Sequence, residues 1–244
     1  MKTFITTLLA AVTVLVFGQP GADEILQKID ENMSSENRIF ESSMTINGKR
    51  ASRTIMSRSY VVGDKQSFTE YLSPAREQGI KMLKLEDQLW IYSPSTDRTI
   101  QISGHMLRQS VMGSDLSYED MMDDRKLTET YNATVIGTEE VDGRKTWVLE
   151  LKAKVDDVAY ATRKLWVDTE RFVPLREELY AKNGQLLKRS VMSDVVQMEG
   201  RWFPNTVIYK DMLKQGDGTE FKITDIKFNQ EIPEYIFSKA ALKQ

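Results

Sequence analysis

Hydrophobic and polar positions alternate through most of this chain. Trp147, Leu149, Leu151 and Ala153 fall on one side of a two-residue period, while Thr146, Glu150, Lys152 and Lys154 mostly oppose them. That is the pattern of a half-buried β-strand. Leu175, Leu179 and Ala181 alternate in the same way with Arg176, Glu178 and Lys182. Lys222, Thr224, Ile226 and Phe228 alternate with Phe221, Ile223 and Asp225. One stretch near the start has a different period: Ile25, Leu26, Ile29 and Met33 share a face at helical spacing. The pattern predicts an amphipathic helix over about 22–36, with Asp23 and Glu24 complementing the dipole of its first turn.

Turn residues punctuate the β-rich runs. Asn47-Gly48, Gly63-Asp64, Asp142-Gly143, Asn183-Gly184 and Gly216-Asp217-Gly218 each lie between two of them, and such pairs favour tight hairpins. About eleven to thirteen strands are expected, with no long linker and no repeat of fixed period, so residues 19–244 read as one mainly β domain. Long arms joined by short turns make a single antiparallel sheet that twists and curls. A curled sheet has a concave apolar face that needs a cover, and the helix at 22–36 supplies one.

The second cover is expected within 104–124. Gly104 breaks a strand, Leu107, Val111 and Met112 recur at near-helical spacing, and Ser114 or Asp115 can cap a short helix through SYEDMM. Ser117 and Asp120 also fit the spacing of a capping box. Four of the twelve methionines sit here: Met106, Met112, Met121 and Met122. Flexible, polarizable thioethers suit surfaces that adapt to variable apolar partners. Two readings stand side by side: a lid over an acyl-chain cavity, and a helical insertion whose methionines simply plug the core. Leu107, Arg108, Val111, Met112, Leu116, Tyr118, Met121 and Met122 are the candidate lid contacts, with Gly104 and Gly113 as hinges. Arg108 either pairs with a lipid phosphate or carboxylate, or is solvated. On the preceding strand Trp90 and Tyr92 share one face and Leu89 and Ile91 the other, so that strand is covered on both sides. Trp90 and Tyr92 are carried as candidate cavity contacts, although the pattern does not tell which face meets the cavity.

Composition places the chain outside the cytoplasm. Residues 1–18 carry a basic Lys2, an apolar core from Phe4 to Phe17 and a small Gly18, the features of a secretory signal; the apolar run is short for a membrane span. The chain has no cysteine, hence no disulfide and no lipid-bearing N-terminal thiol, so an exported, soluble, unlipidated protein is expected. Without Lys2 the balance is 32 basic against 36 acidic side chains, or −4. A mildly acidic, mixed surface argues against nucleic acid.

Catalytic chemistry has little to stand on. The single histidine, His105, lies beside Gly104. With one histidine and no cysteine a zinc site is not expected, and neither a nucleophile elbow nor a phosphate-cradling glycine loop is present. The acidic pairs Asp123-Asp124, Glu139-Glu140, Asp156-Asp157 and Glu177-Glu178 read as solvation and turn chemistry, because neighbours on a strand point to opposite faces. No cofactor, no metal and no catalytic residue are expected.

Several motifs together resemble a known family. They are Leu72-Ser73-Pro74 followed by Gly79, Leu89-Trp90-Ile91-Tyr92-Ser93-Pro94, Arg98, and Ser110-Val111-Met112-Gly113-Ser114-Asp115 leading into Tyr118-Glu119-Asp120. Trp202-Phe203-Pro204 and Ile232-Pro233 before Phe237 complete the set. The chain resembles the outer membrane lipoprotein-sorting proteins of the LolA/LolB-like superfamily. The resemblance implies an incomplete, half-open β-barrel closed by helices around a cavity for acyl chains. It further implies a non-enzymatic, monomeric periplasmic carrier for a lipoprotein or phospholipid, with an inner-membrane transporter as candidate partner. Two rivals remain: a periplasmic sensor or regulatory subunit on the same lipid-binding fold, and a small outer-membrane β-barrel. The final Lys243-Gln244 and the interrupting helices weigh against the barrel.

Overall fold

A computed structural model describes residues 20–48 and 51–244; the secretory signal expected over 1–18 lies outside them. The chain opens with α1 (Ala22–Met33), three residues shorter at its C-terminal end than its periodicity predicts. Two long strands follow, β1 (Asn37–Asn47) and β2 (Ser52–Val62), then β3 (Gln66–Ser73), β4 (Lys81–Leu85), β5 (Gln88–Ser93) and β6 (Arg98–Ile102). The lid segment intervenes, with two 3-10 turns at Gly104–Arg108 and Val111–Gly113 and the short helices α2 (Tyr118–Met122) and α3 (Leu127–Thr130). The second set of strands is β7 (Tyr131–Val141), β8 (Arg144–Ala153), β9 (Thr162–Asp168), β10 (Pro174–Tyr180), β11 (Leu186–Met198), β12 (Arg201–Asp211) and β13 (Thr219–Phe228). Two further 3-10 turns, Glu234–Phe237 and Ala241–Lys243, finish the chain.

All thirteen strands form one sheet in the order β6-β5-β4-β3-β2-β1-β13-β12-β11-β10-β9-β8-β7, antiparallel at every pairing. It does not close: β6 and β7 are its two edges, and the lid segment runs from one to the other. The turn residues act as their chemistry demands. Asp142 and Gly143 both take positive φ, at 49° and 76°, as a tight hairpin turn requires.

Three apolar clusters hold the sheet's covers. Ile25, Leu26 and Ile29 of α1 pack onto Trp147, Leu149, Leu151 and Leu165, the side that strand alternation marks as apolar. Asp30 ties this helix to α3, accepting from the backbone N–H groups of Leu127 (2.9 Å) and Thr128 (3.0 Å) and from the Thr128 hydroxyl (2.6 Å). The lid caps the opposite end, over Met44, Ile55, Tyr71, Met82, Leu89 and Ile91. The outer face of β3–β5 lies under the C-terminal turns, where Phe68, Leu83 and Trp90 meet Ala241 and Leu242. Among the described residues no helix is long and apolar enough to cross a membrane.

Candidate functional site

A cavity of about 1050 Å³ lies on the concave side of the sheet between α1 and the lid. Alternate residues of neighbouring strands build its wall: Phe40 and Met44 from β1, Val61 from β2, Tyr71 from β3, Phe203 and Val207 from β12, Phe221 and Ile223 from β13. The volume is at the top of the roughly 300–1,000 Å³ typical of sites that enclose a small molecule. Several wall positions carry hydroxyls; some are paired between neighbouring strands, whereas the buried Ser35 hydroxyl has no partner. Ser42 and Ser57 hydrogen-bond at 3.0 Å, and Ser59 and Thr69 at 2.8 Å. A hydroxyl already paired within the wall costs less to cover with an apolar guest than one stripped of water.

The lid is docked at several points. Ser117 caps α2 in a capping box: its backbone N–H donates to Asp120 Oδ2 at 2.6 Å, and the Asp120 N–H donates to Ser117 Oγ at 3.2 Å. The cap is thus Ser117, not Ser114 or Asp115. Those two residues serve the docking instead. Asp115 accepts from Thr219 Oγ1 (2.8 Å) and from the Asp211 N–H (2.9 Å), and the Ser114 carbonyl accepts from Lys214 (2.6 Å). Buried Lys84 donates to the Met122 carbonyl at 2.6 Å and pairs with Asp124 at 3.1 Å. Gly104 and Gly113 take φ of 55° and 78°, the left-handed region open to glycine.

The expected lid residues divide by position. Met121 lines the main cavity and Leu116 a smaller adjoining one. Leu107, Met112, Tyr118 and Met122 pack into the cluster beneath the lid, and Val111 is wholly buried. Arg108 is exposed. Trp90 and Tyr92 differ from expectation: both belong to the cluster under the C-terminal turns, with Lys239 over the Trp90 ring at 4.0 Å. The inner face of β5 is formed by Leu89 and Ile91, which meet the lid cluster. The apolar pattern on both faces is correct; a cover formed by residues 234–243 decides between them, and nothing local to β5 signals it.

The acidic pairs divide: Glu139-Glu140 and Asp156-Asp157 are exposed, as expected, whereas Asp123-Asp124 and Glu177-Glu178 are bound by cations. Arg163 on β9 pairs with Asp123 at 2.8 Å and Glu177 at 3.3 Å, under the rings of Tyr131 and Tyr160. Lys188 pairs with Asp120, which also accepts from the Tyr160 hydroxyl at 2.5 Å. Asp124 meets Arg38 at 3.0 Å, Glu178 takes Arg176 and Arg189, and Glu139 accepts from Trp166 Nε1 at 2.7 Å. Burial pushes Glu177 above the usual carboxylate range, and Arg163 only partly opposes it. Burial also works against the charge of Asp120, but Lys188, the Ser117 N–H and Tyr160 outweigh it and hold its pKa below that range. Several of these carboxylates are bound by partners 40 or more positions away, which is why no local pattern reveals the pairing. Among the described residues no group of His, Asp and Glu is arranged to hold a metal ion.

A family model whose description reads "-like: Uncharacterized protein" matches residues 63–244, more than half of the chain. No curated protein matches. Solved structures do. A domain described as an outer membrane lipoprotein-sorting protein from Vibrio parahaemolyticus is 24% identical, with TM-score 0.80 over 91% of this chain and 98% of that one. A DUF1329 family protein from Desulfovibrio piger is 23% identical, with TM-score 0.80 over 90% and 97%. A LolA superfamily protein from Nitrosomonas europaea is 26% identical, with TM-score 0.76 over 91% and 99%. The chain belongs to the family matched over residues 63–244, and its fold is that of the LolA superfamily protein from Nitrosomonas europaea.

Proposed function

We propose that this protein is a periplasmic, non-enzymatic carrier that takes acyl chains of a lipoprotein or phospholipid into the cavity beneath the lid. The observation that carries the reading is the cavity of about 1050 Å³ between two separately docked covers. Its fold is shared with the LolA superfamily protein of Nitrosomonas europaea. Each acyl CH2 removed from water contributes roughly 0.8 kcal/mol. A carrier must come close to what a membrane offers the same chain without exceeding it greatly. A wall that mixes apolar side chains with hydroxyls and with charged groups such as Asp123, Arg163 and Glu177 is a weaker solvent for an acyl chain than hydrocarbon, which favours release. Loading calls for a donor at the inner membrane, and a transporter there is the partner this reading carries.

Mass spectrometry of lipid extracted from protein purified without detergent tests it. Acylated material at near-stoichiometric amounts is expected. A protein that is persistently empty and takes up no fluorescent fatty acid would refute the carrier.

A further inference from the structure

Beside the main cavity lies a second one of about 170 Å³, between α2 and strands β9–β11. It shares Asp120, Asp123, Arg163, Glu177 and Tyr209 with the larger cavity, so the two are neighbouring compartments of one site. Its size admits roughly five or six water-sized groups at about 30 Å³ each. That suits a compact polar group better than an acyl chain.

The compartment's chemistry is unbalanced in two ways. Its walls carry four carboxylates, Glu119, Asp120, Asp123 and Glu177, against two cations, Arg163 and Lys188. Lys188 is taken by Asp120, and Arg163 is divided between Asp123 and Glu177. Arg125 reaches Asp123 from the side at 3.4 Å, so the surplus of negative charge rests on Glu119 and Glu177. Burial is the main cause of the upward shift of Glu177, and the charges of Asp120 and Asp123 add to it against Arg163. A buried carboxylate of this kind gains from another cation. The second imbalance is in donors. Ser190 is 1% exposed, yet its Oγ has no hydrogen-bond partner, and neither does the buried Nε of Arg163. Both residues line this compartment, and buried donors of this kind are normally satisfied.

We infer that this compartment receives the polar head of the amphiphile, and that the head it selects carries an ammonium group beside hydrogen-bond-accepting oxygens. The ammonium sits against Glu177 and Glu119. An ester, amide or phosphate oxygen accepts from Ser190 Oγ and Arg163 Nε. A head bearing only negative charge meets the surplus carboxylates and is disfavoured. The inference rests on the carrier reading, since it places the tails in the main cavity. Two sources present this chemistry: the phosphoethanolamine head of a phospholipid, and the free α-amino group of a diacylated lipopeptide.

Titration calorimetry on the full chain, with single-chain probes below their micellar concentrations, separates the possibilities. Lysophosphatidylethanolamine is expected to bind about tenfold more tightly than lysophosphatidylglycerol of the same chain. In Glu177→Gln that ratio is expected to fall to about one. Ser190→Ala, which removes a single hydroxyl and is the milder test of folding, is expected to weaken the ethanolamine probe several-fold, with circular dichroism reporting an intact sheet. Equal affinities in the wild-type protein, or a preference for the glycerol head, overturn the inference; binding of a neutral monoacylglycerol in that same protein then leaves the carrier standing. Failure to bind any of the three probes overturns both. A diacylated lipopeptide compared with its N-acetylated form identifies the source. A preference for the free amine supports the lipopeptide, and equal binding beside an ethanolamine preference supports the phospholipid.

Discussion

Thr219 Oγ1 donates to Asp115 Oδ2 at 2.8 Å across 104 positions of sequence, inside a buried contact between the lid and β13. The same hydroxyl accepts from the Asp115 backbone N–H at 3.0 Å, so one threonine satisfies the side chain and the backbone of one lid residue. Asp115→Ala strands the Thr219 hydroxyl and the Asp211 N–H, at a cost of roughly 1–3 kcal/mol. Hydrogen-exchange mass spectrometry is expected to show protection lost across 104–122 and kept in β8–β10. Uniform loss across the sheet would mean that the lid does not move as a unit.

Met121 and Trp90 make opposite predictions. Met121 faces the cavity, so Met121→Asp is expected to weaken fatty-acid uptake by about tenfold or more, since a buried charge replaces apolar wall. Trp90 packs on the outer face beneath Leu242, so Trp90→Ala is expected to cost roughly 3–5 kcal/mol of stability while affinity for a fluorescent fatty acid holds. A matched loss of affinity in Trp90→Ala would return this residue to the binding wall.

The lid's attachment has a pH dependence that follows from Asp120. Its pKa is held below the usual range by Lys188, the Ser117 N–H and Tyr160 against the opposing effect of burial. A depressed carboxylate contributes stability above its unfolded pKa, about 3.9, and loses it as pH falls through the folded value. Glu177 has the opposite sign: its raised pKa contributes below the unfolded value of about 4.3 and is lost as pH rises through the folded one. Thermal melts of wild-type protein and Asp120→Asn should therefore differ by a steady amount down to about pH 5, and the gap should shrink as pH falls from about 4 downwards through the folded value. A constant gap across that range would remove Asp120 as a source of acid sensitivity.

Gly218 offers a separate check on the hairpin that docks the lid. It takes φ of 93°, and a Cβ there would lie 2.5 Å from the Tyr209 carbonyl oxygen. Gly218→Ala combines a left-handed strain with a backbone clash, so a loss of roughly 1–3 kcal/mol is expected in chemical denaturation. Gly143→Ala, also at positive φ but with no atom within 4 Å of its Cβ, should cost less.

Local signals proved to be readable and distant ones did not. The Ser117–Asp120 capping box, the Asp142-Gly143 turn and the Ile25, Leu26 and Ile29 face of α1 depend on residues within four positions of one another, and each forms as its chemistry predicts, although Met33 at the end of that face is exposed. The role of Glu177 depends on Arg163, and that of Asp123 on the same arginine 40 positions away; on a strand, such a carboxylate has the same local pattern as a solvated one. The face of β5 that meets the cavity was open for the same reason. Trp90 and Tyr92 are as apolar as Leu89 and Ile91, and the choice between them is made by Leu242, more than 140 positions later.

The lid joins the two free edges of the sheet, leaving β6 and entering β7. A cover tethered at both ends stays beside its seat when it opens. Reclosure is then a first-order event with a high effective concentration, independent of how dilute the protein is. Under this arrangement, residence time is a property of the cargo and of contacts such as Asp115–Thr219, and dilution in the surrounding compartment leaves it unchanged.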